Sequence, residues 1–183
     1  MSIRDEIISR LRENRLFRLR PIFEGDAEER TVLMSQEINE MVSGPWPNGP
    51  MGIRCGLLRA DLESFVHGDR MTVNWDTFKA RDAKMGRLDP IADEVWDVRS
   101  QEPSPGLRVF CRFAEKDVLV ALTCSPRSIS VSWLDRLPLL GRDSRQWRDA
   151  IIECKHDWNT LFPAYEPLRG DSLDDYITNA ILV

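Results

Sequence analysis

The stretch Leu107-Arg108-Val109-Phe110-Cys111-Arg112-Phe113, followed by Ala114-Glu115-Lys116-Asp117 and then Val118-Leu119-Val120-Ala121-Leu122-Thr123-Cys124, decides the fold class. In its first half Leu107, Val109, Cys111 and Phe113 alternate with Arg108, Phe110 and Arg112, which is the period of two of a half-buried strand. The second half is almost wholly apolar, and a polar connection of four residues between two such runs predicts an antiparallel hairpin. Pairing Phe113 with Val118 sets Cys111 against Val120 and Val109 against Leu122, so that one face is continuous core. The other face then carries Arg108 and Arg112 around Phe110, against Leu119, Ala121 and Thr123. Upstream, Glu94 to Arg99 also has strand character; the two prolines and the glycine of Ser100–Gly106 separate it from the hairpin. Three adjacent strands are expected, and their polar side chains are arginines in the main.

Outward from this centre the chain reads as α+β: a small antiparallel-rich sheet with a central hairpin, packed by a long helix in the C-terminal half, plus an N-terminal helical extension. Ser2 caps a first helix with Asp5 and Glu6 in its opening turn, and Ile3, Ile7, Ile8 and Leu11 form its apolar stripe. A second helix is predicted after Asp26, where Asp26 and Glu29 stand at capping-box spacing, with Val32, Ile38, Met41 and Val42 down one side and Gly44 as its stop. The loop Gly44-Pro45-Trp46-Pro47-Asn48-Gly49-Pro50-Met51-Gly52 is the clearest break, and it divides an N-terminal arm, residues 1–44, from an α+β domain, residues 45–183. Trp46 within it reads either as an anchor for a partner or as a ring folded back over the edge of the core.

Leu57, Leu58, Leu62, Phe65 and Val66 have helical spacing, and Met71, Val73 and Trp75 alternate as a strand. Asp76 to Asp93 is charged and weakly patterned, which suggests a short helix or loop. Beyond the hairpin, Ile129, Val131 and Trp133 alternate with serines as a further strand. The strongest helix follows, with Trp147, Ile151, Cys154, Trp158 and Leu161 at steps of three and four, ended by Pro163. Ser172 and Asp175 open a last short helix or turn.

Composition narrows the function classes. The 183 residues are 42% hydrophobic and 30% charged, as in an ordinary globular protein. A net charge of −5 and a pI near 5.2 disfavour broad attraction to nucleic acid or anionic membrane, so any polyanion site has to be a local patch. No apolar run approaches the ~18 residues of a membrane span, and the charged start has no secretory pattern behind it; a cytoplasmic protein is expected. The four cysteines, Cys55, Cys111, Cys124 and Cys154, have no close-spaced pair and read as reduced core residues.

No Gly-rich phosphate loop is present, so a nucleotide cofactor has no support, and no cofactor of any kind is expected. With only His67 and His156, a histidine-based triad or a multi-histidine metal site is disfavoured. His156 falls on the outer side of the long helix, and His67 precedes Gly68 at the end of an element, where a charge near a helix C-terminus is ordinary. Asp171, Asp174 and Asp175 surround a helix start, the usual place for capping carboxylates, and no metal site is assigned.

What remains is a set of cations: Arg99, Arg108 and Arg112, with Arg127. Two of them share a strand face by parity, and arginines on a sheet grip phosphate bidentately and stabilise the charge of a cleaved phosphodiester without a metal. The competing reading is a solvated lattice in which Glu94, Asp97, Glu102 and Glu115 neutralise them.

The runs Arg87-Leu88-Asp89-Pro90-Ile91, Val95-Trp96-Asp97-Val98-Arg99 and Gly106-Leu107-Arg108-Val109-Phe110-Cys111-Arg112-Phe113, with the apolar Val118–Thr123, resemble the central region of the RelE/HigB toxins of bacterial toxin–antitoxin systems. The resemblance implies a small α+β sheet that binds RNA, and a metal-independent endoribonuclease that cleaves mRNA on the ribosome and is held by an antitoxin partner. It places Arg99, Arg108 and Arg112 as catalytic residues, with Arg108, Arg112 and Arg127 on RNA. The alternative is a non-enzymatic protein-interaction module, such as a phage or plasmid accessory protein. The two readings separate on one point: whether the arginines converge on an open face or are each neutralised by a carboxylate.

Overall fold

The computed structural model describes residues 2–76, 82–126 and 145–183. Its elements run α1 (Ile3–Arg12), β1 (Phe17–Arg18), β2 (Thr31–Met34), α2 (Gln36–Ser43), α3 (Pro50–Val66), β3 (Met71–Asn74), β4 (Met85–Arg87), β5 (Trp96–Ser100), β6 (Leu107–Glu115), β7 (Val118–Pro126), α4 (Arg145–Leu161) and β8 (Ala180–Leu182). Short 3-10 turns lie at Ile91–Asp93 and Leu173–Asp175. The strands form one sheet in the order β1-β2-β7-β6-β5-β4-β3-β8. The α+β class holds. The sheet is larger than expected and mixed: β2–β7, β3–β4 and β3–β8 are parallel, and the other neighbours are antiparallel.

The hairpin forms as β6 and β7, but its register differs from the expected one. Lys116 and Asp117 alone make the turn, with Asp117 at φ 61°, a conformation that aspartate tolerates better than most residues. An irregularity between Phe113 and Glu115 then shifts the pairing by one residue, so that Phe113 faces Leu119 and Cys111 faces Ala121, and a second at Phe110/Cys111 sets Val109 against Cys124. A slip of one residue exchanges the faces of a strand. Leu119 and Ala121 therefore join Val109, Cys111 and Phe113 in one core, while Val120 and Leu122 join Phe110 in another. Neither face of the hairpin is the solvated one, because helices cover both.

The first core lies between the sheet and α2 with α3, where Ile38, Val42, Leu58, Leu62 and Phe65 meet Val32, Val73, Met85, Trp96 and Phe113. The second lies under α4, whose Ile151, Cys154, Trp158 and Leu161 pack on Leu33, Phe110, Val120 and Leu122, with Ile3, Ile7 and Leu11 of α1 alongside. The predicted stripe of α4 is thus the packed one.

Residues 1–44 contribute β1, β2 and α2 as well as α1; β1 and β2 are strands of the same sheet, and Ile38 and Val42 of α2 lie in the same core as α3. The helix expected after Asp26 begins only at Gln36, capped by Ser35, whose Oγ accepts from the Ile38 N–H. Thr31–Met34 is instead a strand beside β7, its Val32, Leu33 and Met34 buried on both faces; such a run has no period of two to announce it. Met85–Arg87 is a strand within the region expected to be a short helix or loop, three residues being too short to show a pattern. The expected strand around Ile129–Trp133 lies outside the described residues. All four thiols are free, with Cys55, Cys111 and Cys154 buried.

Candidate arginine face and exposed apolar surface

The helix α4 covers the β6 and β7 part of its face of the sheet, and on that face the side chains turn polar toward β5 and β4. Arg99 of β5 stands directly opposite Arg108 of β6. Two like charges across antiparallel strands repel, and here Asp97 relieves them. Its carboxylate, wholly buried, accepts from Arg99 Nε at 3.1 and 3.0 Å and pairs with Arg108 Nε at 3.0 Å. The Arg108 guanidinium also lies 4.5 Å from the ring centre of Trp147, within range of a cation–π contact. The Arg99 and Arg108 side chains retain 10% and 18% of their exposure.

Gly86 of β4 is what admits this arrangement, since a Cβ there would run into Arg99 Nη2 and come within 3.0 Å of Asp97 Oδ1. Glycine in a strand often marks such a close approach.

Arg112 is elsewhere. Four residues further along β6, about 13 Å at strand rise, it is buried under α4, where Nη2 donates to the Asp93 carbonyl and the guanidinium lies 5.4 Å from the ring of Trp158. Burial lowers its pKa from the ordinary value. Sequence parity puts Arg112 on the face of Arg108, which is correct, but α4 divides that face. Arg127 lies outside the described residues. Of the four predicted cations, the structure brings together Arg99 and Arg108.

Glu94 and Glu115, also considered as partners, serve different cations. Glu94 accepts from Arg87 Nη2 and from the Tyr176 hydroxyl at 2.8 Å, in a buried cluster where Arg87 lies 4.8 Å from the ring of Trp75. Glu115 pairs with Arg4 Nε at 2.8 Å. Asp175 closes a capping box, its Oδ2 accepting from Ser172 N at 2.9 Å and Oγ at 3.0 Å. Burial disfavours the thiolate at all four cysteines: it pushes Cys124 and Cys154 up to about 12, Cys111 well above its ordinary value, and Cys55 up as well.

A second surface lies on the opposite helical layer. The loop 44–49 folds back on α3, and the Trp46 ring passes over Gly56, where a Cβ would sit 3.4 Å from it. Trp46 Nε1 donates to the Met41 carbonyl at 2.8 Å, so the ring is held while remaining 39% exposed. The ring thus folds back over the helix while keeping an exposed face. Next to Gly56 on the helix, at i−3 and i+1, stand Ile53 and Leu57, 58% and 40% exposed; Met51 at the start of α3 is exposed as well. Helical spacing alone does not reveal this surface, since the adjacent Leu57 and Leu58 part, the first exposed and the second buried.

No helix among the described residues is long and apolar enough to cross a membrane. Comparison with protein-family models, with curated proteins and with solved structures finds no match.

Proposed function

We propose that this chain is a non-enzymatic interaction module that docks a protein partner on the surface formed by Trp46, Ile53 and Leu57. The observation that carries it is a half-exposed tryptophan, hydrogen-bonded to Met41 and laid over Gly56, near two exposed aliphatic side chains of the same helix, the kind of apolar cluster that marks interaction sites. The employment of the arginines agrees with this reading: two share a buried carboxylate, and one is buried beneath α4. The test is in-cell crosslinking of the wild type beside the double variant Ile53→Glu with Leu57→Glu. A partner crosslinked by the wild type and lost in the variant, with the variant folded by circular dichroism, supports the module. The same crosslinked species from both proteins overturns it.

A second reading, an RNA-binding protein of the RelE/HigB kind, rests on Arg99 standing directly opposite Arg108 across β5 and β6, which sets two guanidiniums side by side; their neutralisation by Asp97 weighs against it. Replacing both with lysine keeps Asp97 neutralised but removes the planar fork that grips phosphate. Growth arrest with transcript cleavage on induced expression in bacteria, abolished by that pair of substitutions, would establish an mRNA-cleaving toxin. Normal growth with intact transcripts would exclude it.

A further inference from the structure

The segment 20–30 crosses the C-terminal end of α3. Glu29 and Arg30 donate their N–H groups to the Val66 carbonyl at 2.9 and 3.1 Å. Gly68, at φ +81°, lies so close to Glu29 that a Cβ there would sit 2.8 Å from the Glu29 Cβ. This crossing sets Asp26 beside Glu63 and His67, which are one helical turn apart and share a face. His67 Nε2 is 3.8 Å from Asp26 Oδ2 and 3.9 Å from Glu63 Oε1, and one ligand atom from each residue lies within 4.8 Å of the others.

The nitrogen is the informative atom. It is shut off from solvent and has no hydrogen-bond partner, and both carboxylates are too far away to accept from it. A direct charge-assisted hydrogen bond would bring them to about 2.7–2.9 Å, whereas 3.8 and 3.9 Å leave room for an atom that bridges the three groups. An ion bound at about 2.0–2.1 Å by N and O ligands in tetrahedral array sets neighbouring ligand atoms about 3.3–3.4 Å apart, so a small inward swing of the exposed Asp26 and of the imidazole would close the gap. Glu63 is itself buried and held, its Oε1 accepting from the Ile22 N–H at 2.5 Å and its Oε2 from Arg59 Nε at 3.3 Å. The negative end of the α3 dipole adds to the attraction for a cation, while Arg59 offsets part of it.

We propose that Asp26, Glu63 and His67 bind a divalent transition-metal ion of the zinc type, clamping segment 20–30 onto the end of α3. One imidazole with two carboxylates suits zinc and its neighbours, whereas calcium takes six to eight oxygens. Three protein ligands leave a coordination position open. The clamped segment is the one that displays Ile22 and Phe23, the latter 72% exposed.

The full chain, stripped with a chelator, is dialysed against zinc chloride beside His67→Gln and Asp26→Asn, and each protein is also melted with and without zinc. The wild type should take up one zinc per chain and gain melting temperature from it. Each substitution should weaken uptake by about tenfold or more and remove the thermal gain. Asp26→Asn, at an exposed position, keeps the comparison valid if His67→Gln misfolds. Equal uptake by wild type and both variants, or none by the wild type at about millimolar zinc, would overturn the site.

Discussion

Arg99 and Arg108 face each other across β5 and β6, and both lean on the single buried carboxylate of Asp97. The sheet tolerates two guanidiniums in register because that carboxylate lies between them. It is the charge on which the polar half of this face depends.

Asp97→Asn should therefore be far more costly than an ordinary polar change. Removing one partner of a buried charged group leaves the others uncompensated, at about 3–5 kcal/mol. Urea unfolding of Asp97→Asn, Arg108→Ala and the double variant should show strong non-additivity, the second substitution costing much less once the first is made. Additive losses would mean that Asp97 and Arg108 are not coupled.

Gly86→Ala tests the same arrangement from the neighbouring strand. The new methyl group would displace the Arg99 guanidinium from Asp97, and overpacking of this kind costs about 1–3 kcal/mol. In an Arg99→Ala background the nearer obstacle is gone, with Asp97 Oδ1 at 3.0 Å left, and the cost of Gly86→Ala should fall markedly. An unchanged cost in that background would place the strain in the contact with Asp97 or in the β4 backbone.

Tyr176 supplies a pH dependence. Burial, followed by its hydrogen bond to Glu94, pushes its pKa up to about 12 from the usual 10. The folded state thus favours the neutral phenol, and this contribution to stability is complete below pH 10 and is lost as the pH rises from 10 to 12. Tyr176→Phe should lose about 1–3 kcal/mol at neutral pH, since Glu94 Oε2 and the Gly170 N–H lose their partner. Its stability should also decline less between pH 10 and 12 than that of the wild type, followed by denaturant unfolding at each pH. Parallel curves for the two proteins would rule out Tyr176 as the titrating group.

What the sequence by itself determined were features written within a few residues of one another. The Ser2 cap of α1, the Ser172–Asp175 box, the apolar stripe of α4 and the existence of the β6–β7 hairpin all appear as read, because caps, helical periodicity and short turns are local. The arginine pair was half legible. Strand parity put Arg108 and Arg112 on one face, but nothing near them in sequence says that α4, some 40 residues on, buries the second and leaves the first beside Trp147. Tertiary structure decided the rest. It turned Thr31–Met34 into a strand by laying it beside Val118–Ala121. It also carried Asp26 to Glu63 and His67. Each of these rests on contacts between residues far apart in the chain, whose energies depend on burial from both sides, and no periodicity of a single segment records them.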